Sequence, residues 1–201
     1  MNKKIYEACR ERFATHKATL IQDTDRYLAI DWRKSNGSGD YYVNYILDKK
    51  RGSLIISGDL GDCIATWYNK LDAAKVKSYV NDVPYFMGKF QCASDDYTYE
   101  EGDVIADIRE HFEEYDIDVT EVFGIEYGVF DVDDFWHAVE EEVSESTCRA
   151  GKFLPTNRLI KIMELVDYDF YEWLYSCGKR IHQRVYLWAV GFQMACDQLG
   201  L

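Results

Sequence analysis

The sequence predicts an α+β fold: an N-terminal antiparallel β-meander, then acidic helices and a C-terminal helical part. Three observations carry that reading. Residues 19–68 hold short runs of β-branched and aromatic residues separated by turn-forming clusters. From about residue 100 the apolar residues recur at helical spacing instead. Strands come first and helices mostly afterwards, which is segregation rather than the alternation that builds a parallel sheet.

Taken in order, residues 3–15 predict a helix, with Ile5, Cys9 and Phe13 at steps of four. Strands are predicted at 19–21 and 27–32. Ser35-Asn36-Gly37-Ser38-Gly39-Asp40 is hairpin punctuation, and 41–47 is the return strand. Asp48-Lys49-Lys50-Arg51-Gly52 marks the next turn, and 53–57 and 63–68 continue a meander of four or five strands. Asp72 suits the N-cap of a helix over 73–80, with Val76, Tyr79 and Val80 inward. Residues 85–90 predict one more strand. Further helices are predicted at 103–115, 132–145, 158–166, 170–174 and 180–199. The parts group as an antiparallel sheet with flanking helices (1–97), an acidic helical segment (98–147) and a C-terminal helical bundle (148–201), within one compact unit.

Charge is the most informative feature. Residues 95–146 hold 20 of the 36 acidic side chains and one base, Arg109, a formal charge of −19 within an overall −13. Charge this dense repels itself, so solubility alone does not explain it. The segment also carries Tyr97, Tyr99, Phe112, Tyr115, Phe123, Tyr127, Phe130, Phe135 and Trp136, whereas disordered acidic tails are poor in aromatics. It reads as a folded acidic surface.

In the helix over 103–115, Val104, Ile105, Ile108 and Phe112 share one face. Asp103, Asp107, Glu110 and Glu114 form a narrow row beside it, with neighbours about 4.5–6 Å apart along the axis. That separation is comparable to consecutive phosphates on one DNA strand. In the helix over 132–145, Val132, Phe135, Trp136, Val139 and Val143 make the inner face. Asp133, Asp134, Glu140 and Glu141 spread over the other, with Asp131 as N-cap. Glu140, Glu141, Glu142 and Glu145 sit where the helix dipole favours cations, which points to a reason other than helix stability for keeping them.

Other chemistry is weakly signalled. Asp107/His111 and Asp133/His137 each share a helix face, and two such helices can in principle build a metal site. The reading that fits better pairs each His with its neighbouring acids. Asp116-Ile117-Asp118 lacks the glycine and final glutamate of a calcium loop, and Gly58-Asp59-Leu60-Gly61 reads as a turn. No nucleophile motif and no cofactor motif is present, so no catalytic residue is assigned. The six cysteines lie at least 19 residues apart and read as small buried hydrophobes. The N-terminus lacks the apolar stretch of a signal peptide, and no run approaches the roughly 18 apolar residues of a membrane span. The expectation is a cytoplasmic protein without a membrane partner.

Basic pieces occur at Arg33-Lys34, Lys49-Lys50-Arg51 and Lys179-Arg180 with Arg184. Hairpin tips are commonly charged, and the overall field opposes direct nucleic-acid contact. Residues 181–199 place Ile181, Val185, Trp188, Phe192, Ala195 and Leu199 at alternating steps of four and three. That is a core-packing face first and a homodimer seam second.

Ile55-Ile56-Ser57-Gly58-Asp59-Leu60-Gly61-Asp62, Pro84-Tyr85-Phe86-Met87-Gly88-Lys89-Phe90 and Ala93-Ser94-Asp95-Asp96-Tyr97 resemble blocks in small uncharacterised proteins of phages and mobile elements of Gram-positive bacteria. In general character the chain is similar to the anti-CRISPR proteins of that neighbourhood. The resemblance implies no activity and carries over no site residues.

The functional expectation joins these strands. The protein is read as a non-enzymatic inhibitor of a nucleic-acid-binding defence protein, an anti-CRISPR blocking the DNA-binding groove of a Cas effector, with or without its guide RNA in place. Its contact surface is Asp103, Asp107, Glu110, Glu114, Asp133, Asp134, Glu140 and Glu141. The alternatives are a self-associating structural or regulatory phage protein and a metal-dependent enzyme using His111 and His137.

Overall fold

The computed structural model describes residues 1–149 and 152–201, with the side chains of Cys148 and Arg149 excepted. Helix α1 (Lys3–Arg12) is followed by strands β1 (His16–Asp23), β2 (Tyr27–Lys34), β3 (Val43–Asp48), β4 (Ser53–Gly58) and β5 (Cys63–Thr66). Short helices α2 (Ala73–Tyr79) and α3 (Val83–Met87) lead to β6 (Phe90–Ala93) and β7 (Tyr97–Thr98). Helices α4 (Glu101–Tyr115) and α5 (Val132–Glu145) flank a single 3₁₀ turn, Thr120–Val122. Then come β8 (Thr147–Arg149), β9 (Lys152–Leu154), α6 (Asn157–Val166), α7 (Phe170–Trp173), a 3₁₀ turn over Leu174–Ser176, β10 (Arg180–Ile181) and α8 (Gln183–Leu199). The chain is thus α+β with an N-terminal antiparallel meander, as the segregation of its patterns predicts.

Strands β1 to β6 pair antiparallel in sequence order. Because side chains alternate across a sheet, the register decides what is buried. Ile30, Tyr45, Ile56 and Cys63 stand in one cross-strand row and Leu28, Leu47, Leu54 and Ala65 in the next, all essentially inaccessible to solvent. Ala29, Ile46, Ile55, Ile64 and Cys92 make a row on the opposite face. Helix α8 packs against α1 to α3 and against β1 to β3. It buries residues all round its circumference, from Val185 and Leu187 through Trp188 to Phe192, Ala195 and Cys196. Gly191 allows a close approach: the Tyr45 hydroxyl, which donates to the Trp188 carbonyl at 3.0 Å, lies over it.

The chain divides into two compact units, residues 1–96 with 182–201, and residues 97–181. This differs from the three parts read along the sequence. The sheet part ends at 96, and α8 belongs with the sheet rather than with 148–180. In the second unit α4 packs on α5 and α5 on α6 around Val104, Ile108, Phe112, Phe135, Val139 and Leu159. Strands β7 and β10 close that unit at its two chain ends, with Tyr97 opposite Ile181.

Several local expectations are corrected. Residues 85–90 are not one strand. The Asp82 side chain accepts from the Tyr85 N–H and Pro84 fills the first turn, so a helix forms first and the strand starts only at Phe90. The first helix stops at Arg12, which lets β1 begin at His16. Ile181 lies in β10, outside α8. On α5, Val132 is 49% exposed, whereas Ala138 and Glu142 are buried. Among the described cysteines, Cys92 is exposed, since it stands on the outer face of an edge strand. The expectation of a buried Cys148 side chain lies outside the described residues.

Candidate partner-binding surface

Helices α4 and α5 carry the eight carboxylates named from the sequence, and their surroundings separate them. Asp103 and Asp107 face Arg180. The Arg180 guanidinium donates to both oxygens of Asp107, at 2.6 and 2.9 Å, and its Nε lies 3.3 Å from Asp103. The Gly178 N–H adds a third hydrogen bond to Asp107 at 2.7 Å. This bidentate clamp holds the Asp107 carboxyl below its ordinary pKa, with partial burial opposing it. Burial first, and then the Asp107 charge, push the neighbouring Cys177 thiol up to about 12. The first half of the expected acidic row is therefore internal architecture. Glu110 and Glu114, one and two turns further on, are exposed and make no ion pair among the described residues, and neither does Glu113 beside them.

On α5 the first-turn acids behave as the helix dipole favours. Asp131 accepts from the Asp134 N–H at 2.8 Å, and Asp134 accepts from the Phe130 N–H at 3.1 Å. Asp133 is exposed. Of the C-terminal acids, Glu140, Glu141 and Glu142 have arginine partners inside the unit, a reason other than the helix dipole for their place, and Glu145 is exposed. Glu140 pairs with Arg109 at 3.0 Å, and that guanidinium lies 4.1 Å over the Trp136 ring. Arg158 reaches Glu142 at 3.1 Å and Glu141 at 3.8 Å, while also donating to the Tyr127 carbonyl. Glu142, 5% exposed, accepts from the Thr156 hydroxyl as well. A buried carboxylate is tolerable only with such partners.

The pairing expected for the histidines is also different. His111 bonds Asp167, not Asp107, because Asp107 is taken by Arg180. His137 is exposed. Among the described residues, no group of three or more His, Cys, Asp or Glu side chains is placed to hold a metal ion.

His111 instead forms a wall of a cleft of about 610 Å³, lined chiefly by His111, Tyr115, Asp167, Asp169, Glu172 and Trp173. The His111 ring stacks on Trp173 with centroids 3.9 Å apart and tilts against Tyr115 at 4.6 Å. Asp167, at the C-terminus of α6, holds these walls together. Its Oδ2 accepts from the Trp173 indole at 2.6 Å and lies 3.3 Å from His111 Nε2, and its Oδ1 accepts from the Asp169 N–H at 3.0 Å. Partial burial acts to raise the Asp167 pKa, but the hydrogen bonds, led by Trp173, hold it below the ordinary value. Tyr168, 87% exposed, and Tyr171 are exposed residues of the same segment.

No protein-family model, curated protein or solved structure matches this chain.

The cleft is not foreseen in the sequence. Residues 170–174 look like a helix covering the C-terminal one, and the acid–aromatic run Asp167-Tyr168-Asp169-Phe170-Tyr171-Glu172-Trp173 is the one visible signal of a cleft. Of the homodimer seam over 181–199, Val185, Trp188, Phe192 and Ala195 are essentially inaccessible within the first unit, whereas Ile181 belongs to the second and Leu199 is partly buried. No helix among the described residues is long and apolar enough to cross a membrane.

Proposed function

We propose that this protein is a non-enzymatic inhibitor that places its acidic unit in the cationic groove of a nucleic-acid-binding defence protein, in the manner of an anti-CRISPR acting on a Cas effector. One observation carries the reading. Charge segregates with structure: residues 97–181 hold 22 acidic against 7 basic side chains, while the other unit holds 14 against 16. A folded body of that charge competes with a polyanion for lysines and arginines, and it associates by electrostatic steering.

The surface left for the partner is smaller than the eight residues named from the sequence. Glu110, Glu113, Glu114 and Asp133 are exposed and unpaired among the described residues. Asp103, Asp107, Glu140 and Glu141 are already engaged by arginines of the unit. Desolvating an unpaired carboxylate against a guanidinium gains a new ion pair, whereas an engaged one must first give up its own.

The test is target-DNA binding by a guide-loaded Cas effector, measured with increasing amounts of this protein at low and high salt. Inhibition is expected to weaken as salt rises. The variant E110Q/E113Q/E114Q/D133N, altered only at exposed positions, is expected to lose it. Full inhibition by that variant, once shown to be folded, refutes the reading.

A further inference from the structure

We infer that the cleft between the end of α4 and residues 167–173 is a socket for the guanidinium of an arginine on the protein partner. The inference deepens the proposed function and rests on it for the partner's basic character. Three carboxylates, Asp167, Asp169 and Glu172, meet the rings of Trp173, Tyr115 and His111 in one cleft, and among the described residues no lysine or arginine lines it. At about 610 Å³ it has room for a whole side chain and its flanking backbone, within the range of ordinary ligand sites.

The carboxylates divide the work. Asp167 is committed to Trp173, His111 and the Asp169 N–H, so it fixes the walls. Asp169 and Glu172 are exposed and face an incoming group, Asp169 while also hydrogen-bonded to the Tyr171 hydroxyl. An arginine fits this better than a lysine. Its planar fork stacks on a ring while donating in parallel to carboxylate oxygens, whereas an ammonium is a strongly hydrated point charge. The unit contains its own example of the combination: Arg109 lies 4.1 Å over Trp136 and donates to Glu140 at 3.0 Å. Tyr168 and Tyr171, in the same 167–173 segment, are exposed tyrosines of the kind that anchors interfaces.

The full chain, labelled with ¹⁵N, is titrated with the blocked peptide Gly-Arg-Gly and, separately, with Gly-Lys-Gly at equal ionic strength. The arginine peptide is expected to shift the Trp173 indole N–H saturably and to bind several-fold more tightly than the lysine peptide. D169N/E172Q is expected to weaken that binding about tenfold or more, the effect of removing at least one charge-assisted hydrogen bond. Y115A, which removes an exposed wall, tests the aromatic contribution independently and is expected to weaken it too. A Trp173 signal that ignores the arginine peptide, equal response to lysine, or unchanged affinity in D169N/E172Q overturns the socket. Failure here with DNA displacement that still depends on Glu110, Glu113, Glu114 and Asp133 leaves the proposed function standing. A working socket in a protein that never displaces DNA leaves the socket and removes the function.

Discussion

Arg180 and Asp107 show how one pair of residues can redirect a surface. Two parallel hydrogen bonds and the Gly178 N–H hold Asp107 in place. Replacing it with Asn is expected to cost about 1.5–3 kcal/mol, the range for hydrogen bonds to charged groups. Its folded pKa is depressed, chiefly by Arg180, so the stabilisation is complete above the unfolded carboxylate value of about 4 and disappears as pH falls through the folded one. Denaturant titrations of wild type and D107N should therefore differ at neutral pH and converge in acid. The cysteines allow a second check. Burial pushes the thiols of Cys63, Cys177 and Cys196 up to about 12, while Cys92 is exposed. Iodoacetamide on the native protein should label Cys92 first and reach those three only on unfolding, as mass spectrometry would show. Nothing in the spacing of the six cysteines distinguishes Cys92; its place on the outer face of an edge strand does.

Among the elements, α8 and α5 are the most instructive. The apolar periodicity over 181–199 identifies a deeply packed helix, and α8 is one. What periodicity does not contain is the partner. The same stripe serves a coiled coil or a core, and here the sheet covers it. Gly191 records that packing. A Cβ there would clash with the Tyr45 hydroxyl and lie 3.2 Å from a Phe13 ring carbon. Gly191→Ala is thus expected to destabilise the first unit by about 1–3 kcal/mol despite the better helix propensity, the usual cost of overpacking. Thermal unfolding followed by Trp fluorescence would measure it. On α5 the order of acids along the helix is legible in the sequence, and so is the mismatch of its last turn with the dipole. The resolution is not, because Arg109 and Arg158 come from 31 and 16 residues away from their partners Glu140 and Glu142. Long-range pairs of this kind have no local sequence signature. The same holds for the β7–β10 pair, which the pattern does not predict and whose strands are two residues each.

For the molecule as a whole, the division of charge is the property that function can use. The acidic unit carries a formal −15 and the other unit +2. If steering by the acidic unit drives association, its on-rate with a basic partner should fall steeply with salt, and neutralising exposed acids there should slow it about tenfold or more. Neutralising Glu7, Glu11 and Asp25, exposed acids of the other unit, should leave the rate nearly unchanged. Stopped-flow association at two ionic strengths separates the two outcomes.

Composition and periodicity alone determined that the chain is α+β, that its strands precede its helices, and that one stretch is at once acidic, aromatic and folded. These are properties of neighbouring residues, where local propensity and side-chain alternation act. Only the tertiary structure decided which carboxylates meet an arginine and which meet water, and that Asp167, Trp173 and His111 come together. The reason is that a charge's role depends on what lies within a few ångströms of it, and those neighbours are brought from distant parts of the chain.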